Sequence, residues 1–265
     1  MMIKRYLILA LLLLPILVCN GQILNIEQHR LAKDSTKTFL LKTTGALNLY
    51  NRSAADNSPV NLFGYNFKLN SILYPKEHAY ILISQFDYLR INDSDFLNFG
   101  FVHFRTDFFR KSKVNPEIFA QYSYDNFRGL FPRWVFGGSM RHKFINETKA
   151  RLIMGVGAFY EREVWQYPGE DFKVATSFVK PSTYLSTHIT LNDYLSLNGV
   201  FYYQVGFDKS AGVLRNRTNG NIDFNSKITN RLSFNNSFEF AFEDKPIVPI
   251  TRFIFNLRTG FSFDL

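Results

Sequence analysis

The chain has 265 residues and a formal net charge of +9, dispersed without a basic or acidic block, which argues against a charged tail and against nucleic-acid binding. Aromatic residues make up 17% of it, with 29 Phe and 14 Tyr against 2 Trp, yet the mean hydropathy is only -0.12. Many aromatics without long apolar runs are what alternating lipid-facing and lumen-facing positions produce, and a single cysteine, Cys19, excludes a disulfide framework and a cysteine metal site.

Residues 1–21 read as a cleaved secretory signal: Lys4 and Arg5 form the positive region, and Tyr6 to Val18 form an apolar run broken only by Pro15. That run falls short of the roughly 20 residues a membrane-crossing helix needs. Cleavage after Gly21 leaves Gln22 as the start; the alternative is a lipoprotein signal with Cys19 lipidated, against which Val18 stands. Residues 22–37 are polar and without a clear period, a short periplasmic lead.

From Thr38 the chain falls into segments with a period near two, separated by turn-forming clusters, which predicts strands. Thr38 to Tyr50, Asn61 to Tyr74 and Ala79 to Arg90 each gather apolar residues on one face. Phe96 to Phe109 switches parity, with Leu97, Phe99 and Phe101 on one face and Phe104 and Phe108 on the other, so a bulge is expected near Val102 or His103. Glu117 to Phe127, Arg133 to Phe144 and Ala150 to Glu163 alternate clearly, whereas Pro181 interrupts Val174 to Ile189 and weakens that segment. Tyr194 to Phe207 is clear, Arg215 to Ile228 carries one wholly polar face, and Leu232 to Phe242 and Arg252 to Leu265 line up phenylalanines.

Short and long connections alternate along this series, as they do in a barrel with short periplasmic turns and longer outer loops. The expected fold is all-β: an antiparallel transmembrane β-barrel of about twelve strands over residues 38–265, both termini periplasmic, multi-pass in the bacterial outer membrane with lipid around it. An open edge in hydrocarbon leaves backbone groups unpaired at several kcal/mol each, so Arg252 to Leu265 is expected to close on Thr38 to Tyr50.

Parity turns a set of charges toward the lumen: Arg141, Lys143, Arg151, Glu161, Arg215, Arg217, Asp223, Lys227, Glu239, Arg252 and Arg258. One reading is an ion-pair network that plugs a narrow barrel. The other is a constriction favouring small anionic solutes, since arginines outnumber carboxylates in the set. Glu161 and Glu163 share a face and read as rim charges beside the loop Val164 to Lys173, with Arg162 pointing away. Ser84 and His142, both outward by parity, are what an outer-membrane lipid-modifying enzyme would need, but no Ser, His and acid cluster has a recognisable spacing, and no enzyme is expected. His29, His78, His103, His142 and His188 are scattered without ligand spacing, so no metal or other cofactor is expected. Gly155 and Gly157 alternate within a strand and read as room for large neighbours such as Phe159, not as a phosphate loop.

The last eight residues, Arg258-Thr-Gly-Phe-Ser-Phe-Asp-Leu265, resemble the β-signal of outer-membrane barrels, with Arg258, Gly260, Phe263 and Leu265 on its positions and Leu where Phe is usual. The resemblance implies recognition by the barrel assembly machinery. Gly155-Val-Gly-Ala-Phe-Tyr-Glu-Arg162, Ser182-Thr-Tyr-Leu-Ser186, Leu191-Asn-Asp-Tyr-Leu-Ser-Leu197, Phe201-Tyr-Tyr-Gln204 and Lys227-Ile-Thr-Asn-Arg-Leu-Ser-Phe234 resemble the uncharacterised YdiY-like family of outer-membrane proteins, some labelled salt-induced. That family brings a barrel expectation and no ligand or catalytic residue. Two functions stand: a narrow channel or small-solute transport protein with some anion bias, and a plugged structural or interaction barrel of the envelope.

Overall fold

A computed structural model describes residues 38–53, 59–229 and 231–263; residues 1–37, where a signal and a periplasmic lead are expected, and Leu265 of the expected β-signal lie outside the described residues. Twelve strands follow one another: β1 (Phe39–Ser53), β2 (Pro59–Leu73), β3 (Ala79–Ile91), β4 (Ser94–Asp107), β5 (Val114–Asp125), β6 (Leu130–Asn146), β7 (Ala150–Gln166), β8 (Lys173–Asn192), β9 (Leu195–Asp208), β10 (Val213–Lys227), β11 (Leu232–Glu243) and β12 (Phe253–Phe263). Each pairs antiparallel with its neighbours in chain order, a single meander, which brings the start of β1 and the end of β12 to the same end of the wall. From β2 to β11 the backbone amides and carbonyls are thereby paired with a strand on either side, as a sheet in hydrocarbon requires.

Alternation decides what each face carries. On β1 the outward Phe39, Leu41, Leu47 and Leu49 are all more than half exposed, and Trp134, Phe136 and Met140 on β6 and Phe253, Phe255 and Leu257 on β12 continue this apolar band. The inward faces are buried because the sheet curls: Tyr184 on β8 donates to Glu117 on β5, and β4 and β12 side chains line one cavity. β12 pairs with β11 and β1 with β2, and no ladder joins β12 to β1 among the described residues.

β4 corrects the expected bulge. Its register with β3 runs unbroken from Ala79↔Asp107 to Leu89↔Leu97 and shifts only beyond it, between Leu89 and Arg90. Phe99 and Phe101 therefore keep the parity of His103 and Arg105 and point inward, where they pack with Ile72, Ile81 and Ile83. Aromatic identity suggested a lipid face, but these two rings fill an apolar stretch of the lumen wall.

β8 runs without interruption through Pro181. Its ladder with β7 spans Lys173 to Ile189, but its ladder with β9 starts only at Ser182↔Gln204. The stretch before Ser182 is thus an edge on the β9 side, where a missing N–H is tolerated. Loop lengths also depart from the expected alternation. Strands extend into the loops, so that β3 and β4 join through the two-residue Asn92-Asp93 connection, while Phe108 to Lys113 is longer than a tight turn. Between β5 and β6 a single 3-10 turn, Asn126–Arg128, is capped by the Asp125 carboxylate and closed by Gly129 at φ 76, a left-handed conformation that favours glycine.

Candidate functional site: an ion-paired lumen

Two adjacent inward positions on β7 anchor the site. Glu161 and Glu163 are both 0% exposed, buried in the lumen and not on its rim. Arg133 on β6 donates through Nε to Glu161 Oε1 at 2.7 Å, and Lys180 on β8 reaches the other oxygen of Glu161. From across the lumen, Arg217 on β10 binds Glu161 and Glu163 at 2.9 Å each and approaches Glu243 on β11 at 2.8 Å. The Trp165 indole N–H donates to the remaining Glu163 oxygen at 2.5 Å. Three carboxylates thus meet three cations. Lys180 gets there because β8 and β9 part above Ser182: its stem crosses beside Gly206, where a Cβ would sit 2.9 Å from it.

A second layer lies nearer the start of β5. Glu117 accepts from Arg105 at 3.2 Å, Ser139 at 3.1 Å and Tyr184 at 3.1 Å, and Arg141 stands 3.6 Å from it and 3.8 Å from Asp107. The Arg105 guanidinium also lies over the Phe119 and Tyr184 rings, 5.4 and 5.9 Å from their centroids. Gly155 makes room for the Tyr184 ring, which would overlap any Cβ there, and Gly137 does the same for Phe119 and Phe159.

Between the layers is a cavity of about 110 Å³, and on the other side of the first layer a second of about 140 Å³. Gln121, Arg133 and Asn219 line both. The outer cavity is bounded by the Phe99 and Phe101 rings on one side and by Arg217 and Glu243 on the other. At the mouth, the connection from Asp244 to Arg252 is tied down onto β10. Arg215 pairs with Asp208 at 2.7 Å and donates to the carbonyls of Lys245 and Pro246, and Asn216 donates to Asp244 from both its backbone and its side chain at 2.7 Å. Val248 of this connection is buried at 2% exposure. Burial would push the Asp244 carboxyl up, but its hydrogen bonds from Asn216 outweigh this and hold it below the usual aspartate range.

The other charges that parity turned inward are dispersed. Asp223 is buried and accepts from Asn221 at 3.3 Å, and Lys143 donates to the carbonyls of Arg110 and Ser112. Arg151 is half-buried, Lys227 is exposed at the end of β10, and Arg252 is exposed just before β12. Glu239 accepts from Asn256 at 3.4 Å and from the largely exposed Arg258 at 3.5 Å. Gly260 and Phe263 are exposed on β12. His142 rests against Phe144 on β6, and Ser84 is buried on β3, three strands away. Among the described residues no group of His, Cys, Asp and Glu gathers as a metal site, and no helix is long and apolar enough to cross a membrane.

Sequence reasoning did not single out Arg105, Arg133 and Lys180. Arg133 shares parity with Arg141, which was the available signal. The supposed switch in β4 hid Arg105, and the doubt over Pro181 hid Lys180.

A curled antiparallel sheet, apolar outside and ion-paired inside, defines the class of membrane β-barrels. The chain belongs to the DUF481 family, proteins of unknown function, whose profile matches residues 61–252. A search of curated proteins gives no significant match. Among solved structures the chain is similar to the NanC porin, with a TM-score of 0.44 at 9% identity over 83% of this chain and 100% of that one. It is also similar to a bacterial polysaccharide outer-membrane secretin, with a TM-score of 0.41 at 9% identity over 86% and 91%. A loop-deleted OmpT of Vibrio cholerae follows at 0.26, 10% identity, over 86% and 99%. Likenesses this distant say nothing about solute or activity.

Proposed function

We propose that the chain is an outer-membrane barrel that passes small polar solutes through a narrow lumen closed at rest, without a standing preference for anions. The observation that carries this reading is the pair of cavities that meet at Gln121, Arg133 and Asn219. The two chambers are parted at Gln121, Arg133 and Asn219 by side chains and not by backbone, and side chains rearrange without breaking the wall. The charge balance argues against anion selection: Arg133, Lys180 and Arg217 face Glu161, Glu163 and Glu243, and Arg105 and Arg141 face Glu117 and Asp107. Selectivity by a charged ring needs unpaired charge. We read the barrel as non-catalytic, and as a substrate of the barrel assembly machinery through Arg258, Gly260, Phe263 and Leu265. The narrower kinship with YdiY-like proteins rests on the C-terminal motifs alone.

The test is planar-bilayer recording of the purified chain. Brief, low-conductance events with a reversal potential near zero in a salt gradient are expected; silence across salts sinks the transport reading, and a strongly anionic reversal potential sinks the charge-balanced one. The second reading, a plugged structural or interaction barrel, is favoured by one observation: Glu161 and Glu163 have no exposed surface at all. It predicts that silence.

A further inference from the structure

We propose that the inner cavity is a binding site for one small, uncharged, polyhydroxylated solute, entered past Arg133. This deepens the transport reading and rests on it for its physiological sense, though the site itself can be tested separately. At about 110 Å³ the cavity has room for several waters, and so for a solute of roughly five to ten non-hydrogen atoms.

The lining sets the chemistry. Phe119, Phe159, Tyr184 and Tyr202 offer ring faces and edges against which the C–H groups of a polyol pack. Between them stand amides and hydroxyls, from Gln204, Asn219, Ser139 and Ser182. Gln204 Oε1 is buried with no hydrogen-bond partner among the described residues. A buried acceptor in that state is costly unless a donor arrives, and a solute O–H is such a donor. Charge is disfavoured in both signs. Arg105 and Arg133, the cations of the lining, are already engaged by Glu117 and by Glu161 and Glu163, so an anion finds no surplus positive charge. A cation would be brought into a low-dielectric space beside two guanidinium groups.

Arg133 is the entry residue because it lines both cavities while it holds Glu161 and Glu163. The other two shared side chains, Gln121 and Asn219, are neutral, so the passage between chambers is narrowed by one ion-paired arginine and two amides. Truncating Arg133 widens the passage and leaves the two glutamates with Arg217 and Lys180 alone, which shifts the local balance toward negative.

The experiment uses the full barrel in detergent micelles, with erythritol and xylitol as probes and erythronate and xylonate as their charged counterparts. Saturation-transfer NMR is expected to show binding of the polyols several-fold stronger than of the acids, and Gln204→Leu to weaken polyol binding roughly tenfold, the loss of one buried hydrogen bond. Asn219→Leu is the second variant should the first fail to give the heat-modifiable folded band. Equal signals from acids and polyols, or undiminished binding in a folded variant, overturn the proposal. Osmotic swelling of proteoliposomes separates it from the transport reading: polyol binding without swelling leaves the site and removes transport, and swelling without binding does the reverse. In bilayers Arg133→Ala is expected to raise conductance several-fold and make it cation-selective; unchanged conductance and selectivity would remove Arg133 from the passage.

Discussion

One patch of the inward face of β2 to β4 is the apolar cluster of Ile72, Ile81, Ile83, Phe99 and Phe101. The charged layers instead draw Glu117, Arg133, Glu161, Lys180 and Arg217 from β5 to β10, and Arg105 and Asp107 from the first half of the wall. Both stretches are buried, and they are filled by different physics. Apolar side chains pack against each other without directional requirements, so that stretch closes on itself, with Leu40, Tyr74 and Leu97 at its margin. Ion pairs require geometry and complete partnering, and a lumen wall built from them leaves gaps wherever a partner is not in reach. The two cavities lie along the charged wall, and the outer one opens where that wall meets the Phe99 and Phe101 rings. The difference assigns closure to one side and any passage to the other.

The largest way to break this comparison is on the charged side. Arg217→Ala removes a partner of Glu161, Glu163 and Glu243 at once and is expected to cost about 3–5 kcal/mol, read as a lower urea midpoint in lipid vesicles; an unchanged midpoint would mean that water already solvates the cluster. On the apolar side, Ile83→Ala removes buried methyl groups from the cluster and is expected to cost about 2–5 kcal/mol with no change in ion selectivity. Phe263→Asp places a charge on the exposed face at the end of β12, costing at most about 1 kcal/mol of stability at such an interfacial position but lowering the yield of heat-modifiable barrel in the membrane; normal levels would remove β12 as an assembly determinant. Gly155→Ala crowds the Tyr184 ring and is expected to cost about 1–3 kcal/mol. The smallest effect is at Pro181→Val, on the unpaired edge of β8, where a shift within about 0.5 kcal/mol is expected by the same denaturation assay.

Alternation alone revealed most of the wall: β5, β7, β9 and β10 have the inward and outward sets that their period of two dictates. It misled on β4, because Phe99 and Phe101 inside the lumen use the same residue type as the lipid face. It misplaced Glu163, whose neighbour Arg162 points away, because its cations come from other strands: Arg133 and Lys180 on the two flanking strands and, nearest, Arg217, 54 residues distant and three strands over. Such chords across the lumen depend on the stagger between strands, and no single strand's pattern contains that stagger. For the same reason the excess of inward arginines does not reveal that Asp107, Glu117, Glu163 and Glu243, on other strands, are their partners.

Where β8 rises past its pairing with β9, residues Lys173 to Pro181 present one bare backbone margin. Such a margin is a template on which another chain can add a strand. Proline at its base and Lys173 at its far end interrupt that template, one by lacking a donor and the other by carrying an exposed charge, while Lys180 is held inside by Glu161. The residue that breaks the period of the eighth strand thus lies where a passing strand would find no donor to pair with.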